Sequence, residues 1–160
     1  EHIIFNFIEW KLKYFNHSAA ALSTEAILSI LIFVIVVFVF LHLVKNNKAS
    51  AYIILYILFA IQIINAVFHI FFSLYFNDFS PGLITSILVY LPGNYLIVRA
   101  AFQEGYLKSS TEYGFIALLG TATFVLFEIY GPLVIVLSII SSLLYFVWFN
   151  KRLVAKGQHT

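Results

Sequence analysis

The sequence predicts an all-α integral membrane protein with five transmembrane helices, preceded by an N-terminal amphipathic or partial helix. Two observations about composition and one about patterning predict it. Of 160 residues, 62% are apolar and only 10% are charged, against about 25% charged in an ordinary soluble domain. The 9 Lys/Arg and 7 Asp/Glu are too few to hydrate a folded surface of this size, and the mean hydropathy is +1.00. Apolar runs of at least about 18 residues recur along the chain, each long enough to cross a bilayer. A water-soluble enzyme, a nucleic-acid binder and a disordered tail are excluded.

The elements follow in order. Over residues 1–18, His2, Asn6, Glu9, Lys13 and Asn16 recur at alternating spacings of 4 and 3, so a helix gathers them into one polar stripe. Trp10 and Tyr14 are placed as interface anchors. The segment reads either as a helix lying in the membrane surface or as the last turns of a span that begins upstream. The chain holds no Met and begins at Glu1, so its true N-terminus is expected to lie upstream or to have been processed. The first clear span covers residues 26–44, announced by Ser23, Thr24 and Glu25 and closed by Lys45-Asn46-Asn47-Lys48.

The second span, residues 51–76, is long enough to tilt or to project beyond the hydrocarbon. A break at Asn77-Asp78-Phe79-Ser80-Pro81-Gly82 follows, where Ser80 can cap and Pro81 can take the first helical position. The third span covers residues 82–102. It should kink at Pro92-Gly93, because Pro removes a backbone hydrogen bond. Between Gly114 and Phe149 the only charged residue is Glu128. A straight helix of that length would measure about 54 Å, against a hydrocarbon core of about 30 Å. Gly131-Pro132 therefore divides it into spans at 114–130 and 132–149 joined by a hairpin. Residues 19–150 form the five-span membrane domain, and residues 151–160 a basic tail.

Lys45, Lys48, Arg99, Lys108, Lys151, Arg152 and Lys156 fall on one side of this arrangement, and Lys11 and Lys13 on the other. The excess of basic residues marks the first side as cytoplasmic. The C-terminus is then inside and residue 1 outside.

Absent residues bound the chemistry. With no Cys there is no disulfide, thiolate metal site or cysteine nucleophile, and His, Asp or Glu would have to hold any metal. No metal-binding helix motif, phosphate loop, nucleophile elbow or Gly-rich dinucleotide turn is present. Most acids, including Glu1, Glu25, Asp78 and Glu128, fall on the outer side. The second span carries Gln62, Asn65 and His69 at spacings of 3 and 4, so they share one helical face. His69 lies about 10 Å inside the outer end of that span, within reach of Glu25 and Glu128. This face reads either as interhelical hydrogen bonding or as a functional site, the default for an intramembrane ionisable group. Thr85 can return a hydrogen bond to its own helix, and Asn94 can relieve the Pro92 kink.

The stretch Asn65-Ala66-Val67-Phe68-His69, the turn Phe79-Ser80-Pro81-Gly82-Leu83-Ile84-Thr85, Leu91-Pro92 and Arg99 through Gly105 resemble the HXXEE-domain family of small bacterial polytopic membrane proteins. Members pair an N-terminal His-x-x-Glu-Glu with an Asn-x-x-x-His in the second span and an aromatic-x-Pro-Gly-x-x-Thr turn. The clear likeness covers residues 65–105. No His-x-x-Glu-Glu occurs in this sequence, and Glu1 could be at most its last residue. The resemblance implies a cytoplasmic-membrane protein with a His/carboxylate cluster that joins the missing motif residues to Glu1 and His69. The family has no established activity.

Three functions are open on these residues. The first is a membrane-embedded enzyme in which His69, Glu1 and Glu128 converge near the outer leaflet on a lipid or other apolar substrate. Asn65, Gln62, Glu25 and Thr85 would serve there as substrate-contacting or packing groups. His69 and Glu1 could hold a divalent metal such as zinc or iron, or the same groups could act as general acid and base without one. The second is a non-catalytic subunit of a larger membrane complex or a homo-oligomer. The third, a proton-coupled carrier, lacks polar groups for a path through the cytoplasmic half beyond Asn94. The lipid bilayer is the expected partner in each case, and nucleic acid in none.

Overall fold

The computed structural model describes residues 7–15 and 24–155, and every regular element within them is helical. The helices are α1 (Phe7–Phe15), α2 (Thr24–Lys45), α3 (Lys48–Tyr75), α4 (Leu83–Gln103), α5 (Ser110–Tyr130) and α6 (Leu133–Ala155). Helices α3 to α6 are long and apolar enough to cross a membrane, and α2 contributes the apolar stretch Ile32–Lys45. These four long helices coincide with the second to fifth expected spans. Helix α1 lies within the expected N-terminal helix, whose remaining residues fall outside the described part.

Local chemistry sets the helix ends. Asn46 adopts φ 42° and its N–H donates to the His42 carbonyl at 2.6 Å, a left-handed cap on α2. Asn47 then caps α3: its side chain accepts from the Ser50 N–H at 3.0 Å, while Ser50 Oγ accepts from the Asn47 N–H at 3.3 Å. This reciprocal pair satisfies two N–H groups that a helix start would leave open. At the far end of α3, Asn77 takes φ 48°. Its N–H reaches the Leu74 carbonyl and the Asp78 N–H reaches Ser73, a Schellman closure.

In the break that follows, the structure departs from expectation. Gly82 sits at φ 112°, a conformation open to glycine and strained for other residues, so α4 cannot begin at Pro81 and starts at Leu83. Ser80 is consequently not a cap, and its hydroxyl is committed elsewhere. Gly131 takes φ 70° and donates to the Phe127 carbonyl at 2.8 Å, and Pro132 leads directly into α6. The chain reverses here. Helix α6 packs back on α5 and on the first part of α3.

Two long helices are interrupted by π turns, Phe59–Ile63 in α3 and Ser86–Tyr90 in α4. The second immediately precedes Pro92, so the disturbance expected from that proline takes the form of a widened turn. The first has no proline to explain it. Gly120 of α5 faces it so closely that an added Cβ would lie 2.8 Å from Phe59 Cδ1 and 3.1 Å from the Ala60 nitrogen.

Helix α3 is the axis of the bundle: 44% of its most apolar window is buried, against 11%, 11% and 6% for α4, α5 and α6. On one flank Ile53 and Ile57 of α3 pack on Val34 and Phe38 of α2, backed by Ile139 and Phe146 of α6. On the other, Leu55 joins Ala101, Leu107 and Ile116.

At one end of the bundle, Lys48 is paired with Glu112 at 2.7 Å, Asn47 donates to Asn150 at 2.8 Å, and the Tyr106 hydroxyl donates to Asn46. Lys45, Arg99, Lys108, Lys151 and Arg152 occupy helix ends and a loop on the same side, making it the basic end. The opposite end holds α1, the α3–α4 loop and the α5–α6 turn.

Candidate functional site

The end opposite the basic one contains His69, carried by the last turns of α3 and completely buried. Its Nδ1 lies 2.8 Å from Ser80 Oγ, and Ser80 is likewise fully buried. The α3–α4 loop is held so that this contact persists. Ser73 Oγ donates to the Asp78 carbonyl at 2.7 Å, the Ser80 N–H donates to Ser73 Oγ at 3.4 Å, and the Leu83 N–H donates to the Ser80 carbonyl at 3.0 Å. Ser86, one turn into α4, is also fully buried. Its hydroxyl has no hydrogen-bond partner among the described residues.

Helix α1 covers this end. Its aromatic face docks on the end of α3: Trp10 meets Phe68 and Phe76, Tyr14 stacks on Phe76 with centroids 4.0 Å apart, and Phe15 meets Phe72 edge-on. Trp10 is buried as a result. The polar face is tied by charge. Lys11 Nζ donates to Glu128 Oε2 of α5 at 2.6 Å, and Lys13 Nζ donates to Asp78 Oδ2 at 2.8 Å. The Tyr14 hydroxyl donates to the same Asp78 carboxylate. Lys13 and then Tyr14 hold the Asp78 carboxyl below its ordinary range, and Asp78 and Tyr14 raise Lys13 above its own.

The expected site residues divide accordingly. His69 and Glu128 sit at the same end, but Glu128 is engaged by Lys11 and His69 by Ser80. Gln62 lies within the first π turn, where its Oε1 accepts from Asn94 Nδ2 at 2.7 Å. The same Asn94 group donates to the Tyr90 carbonyl at 2.7 Å, in the second π turn. Gln62 and His69 therefore both turn toward α4 and the loop leading into it, and one amide bridge joins the two irregular turns. Asn65, between them, is partly buried, as is Thr85 at the start of α4. Glu25 belongs to the first turn of α2, but its side chain lies outside the described residues, as does all of Glu1.

Among the described residues no group of three or more His, Asp or Glu side chains converges as a metal site. His69 meets one requirement of a ligand: its Nδ1 has a hydrogen-bonding partner that can fix tautomer and ring orientation.

Ser80, Ser73, Lys11 and the Lys13–Asp78 pair were not among the expected site residues. The Phe79-Ser80-Pro81-Gly82 run signalled a turn, but a sequence does not reveal which buried group a turn serine will meet. For Lys13 the signal was present in the polar stripe, whereas Lys11 lies outside that stripe; their partners stand 65 and 117 positions away along the chain.

A family model described as a protein of unknown function with HXXEE motif matches residues 1–97. No curated protein and no solved structure matches the chain.

Proposed function

Since the chain belongs to the HXXEE family, we propose that it is a membrane-embedded enzyme acting on a lipid or other apolar substrate, with its site at the His69 end of the bundle. The observation that carries this reading is the full burial of His69 with Ser80 at 2.8 Å, beneath a helix that continues directly from the N-terminal segment. An imidazole removed from water at membrane depth is costly to place, and its ring is held by a dedicated partner. Glu1 stands a few residues before α1 in sequence, and the reading assigns it as the carboxylate partner of His69. In this reading His69 Nε2 and Glu1 act on the substrate, as general base and acid or as ligands.

A divalent metal held by imidazole and carboxylate would supply an activated water. Ser80 orients the imidazole in either case. Glu128 positions α1 through Lys11, and Gln62, Asn65 and Thr85 line the approach from α4. Helix α2 is the first of five spans, the basic end faces the cytoplasm by the excess of Lys and Arg, and His69 faces the outer leaflet.

The test is twofold. Purified protein should carry stoichiometric metal or convert a membrane lipid, followed by mass spectrometry of reconstituted vesicles, and His69→Ala should abolish either property while retaining helicity. Unimpaired biological function of His69→Ala in cells would refute the proposal.

A second reading, a non-catalytic subunit or homo-oligomer, draws support from the low burial of α4, α5 and α6 within one chain. It expects a defined co-purifying partner and full function when Gln62, Asn65 and His69 are all replaced by Ala.

A further inference from the structure

On the other half of the bundle, α2, α3 and α4 enclose a groove of about 360 Å³, within the range of small-molecule sites, about 300–1,000 Å³. Its chemistry changes along its length. The deep part is apolar throughout, with Phe38 and Val39 of α2, Ile54 and Leu58 of α3, and Ile97 and Ala101 of α4 among its walls. Polar groups occur only at the mouth, at the basic end, as His42, Glu104 and Tyr106.

Two of these are committed to the protein itself: His42 Nδ1 is 2.7 Å from Ser50 Oγ, and the Tyr106 hydroxyl is bonded to Asn46. Glu104 is different. It is exposed and takes part in no ion pair among the described residues. Lys45, one turn beyond His42 and on the same face of α2, is likewise exposed and without an ion pair among them. The groove thus offers an apolar slot with an anionic side chain, Glu104, at its opening and a cationic one, Lys45, on the next turn of α2 beyond its lining.

We infer that this groove holds an acyl chain of an amine-headgroup phospholipid, its ammonium at Glu104 and its phosphate at Lys45. The apolar walls accept a hydrocarbon chain and offer nothing to a polar ligand. Glu104 at the opening and Lys45 on the adjoining turn of α2 supply the two charges that a zwitterionic headgroup requires, whereas a purely anionic headgroup would meet Glu104 as a repelling group. The site is remote from the His69 end and independent of the activity proposed there.

The test uses the full chain reconstituted in vesicles of equal phosphatidylethanolamine and phosphatidylglycerol, re-extracted in mild detergent, with retained lipid identified by mass spectrometry. Phosphatidylethanolamine should be enriched in the wild type. Glu104→Gln should reduce that enrichment by about two- to fivefold, the scale of one exposed charge contact. Val39→Trp, at a wall position 39% exposed where the larger ring fills the slot without entering the core, should remove most of the retained lipid. His69→Ala should change neither. Retained lipid that mirrors the bulk ratio, an enrichment untouched by Glu104→Gln, or a Val39→Trp variant that loses only self-association would overturn the inference.

Discussion

Replacing Glu128 with Gln removes the charge that Lys11 meets at 2.6 Å while keeping the side chain's shape. The two side chains are 14% and 28% exposed, so water screens the pair only in part. A hydrogen bond to a charged group contributes about 1.5–3 kcal/mol, and residual exposure moves the expected value to the lower end of that range and below it, about 1–2 kcal/mol. Helix α1 keeps its aromatic contacts with Phe68, Phe72 and Phe76, so it should open more often without detaching. That energy corresponds to amide exchange across α1 about 5–30-fold faster, measurable by hydrogen–deuterium exchange in nanodiscs. Lys11→Met should do the same. The double variant Lys11→Met with Glu128→Leu should recover much of the loss, because an apolar pair leaves no buried charge behind. Unchanged exchange in either single variant, or a double variant no better protected than Lys11→Met alone, would refute the assignment of Glu128 as the anchor of α1.

Other outcomes follow from the same contacts. Ser80→Ala deprives the buried His69 Nδ1 of the hydroxyl 2.8 Å away and should lower the unfolding free energy by about 1–3 kcal/mol. Ser86→Ala should be neutral, since no described partner is lost; equal effects in denaturant titrations would contradict the distinction. Gly120→Val must displace Phe59 or the Ala60 backbone, 2.8 and 3.1 Å from the first added carbon, at a cost of about 1–3 kcal/mol. A wild-type midpoint for that variant would show that α5 does not approach the π turn so closely. The Lys13–Asp78 pair gives a pH signature. Asp78 is depressed below 3.8, so its contribution to docking α1 is present above that value and lost as pH falls through the folded-state pKa. Lys13 is raised above 10.5, so its contribution is present below that value and lost on the alkaline side. Trp10 fluorescence in a Trp148→Phe background should therefore stay flat through neutral pH and change below 3.8; an acid transition centred at pH 5 or above would be inconsistent with it.

Long-range hydrophobicity made the four long helices legible, because a span is a sum over many residues and tolerates local error. The reversal at Gly131-Pro132 was legible for the same kind of reason: a length constraint demanded a break and only one sequence feature could supply it. The Gln62/Asn65/His69 stripe likewise marked a face that turns toward α4, with Gln62 bonded to Asn94 and His69 to Ser80. What the sequence did not disclose depends on pairing across the fold. Ser80 looked like a helix cap because turn serines often are, yet Gly82 at φ 112° displaces the helix start and frees the hydroxyl for His69. Glu128 looked like a member of the His69 cluster because depth can be read from a span, whereas the choice between Lys11 and His69 cannot. The π turn at Phe59–Ile63 has no proline to announce it. It arises where Gly120 lets α5 press against the backbone, a condition set by a helix far along the chain.

That turn has a consequence for how the bundle tolerates change in length. Each residue advances a regular helix by about 100° of rotation, and a π turn absorbs one extra residue by widening. A single deletion within Phe59–Ile63 that restored regular winding would therefore leave His69 close to its azimuth relative to Lys48–Leu58, whereas the same deletion in a regular part of α3 would swing it away. The second irregular turn, in α4, sets the phase of Asn94 in the same way. The two segments are indexed to each other through the Gln62–Asn94 amide bridge, like meshed gears each cut with one extra tooth. Removing the tooth from one should loosen the bridge at that turn and leave His69 in step, whereas a deletion outside the turns should throw the helix beyond it out of phase.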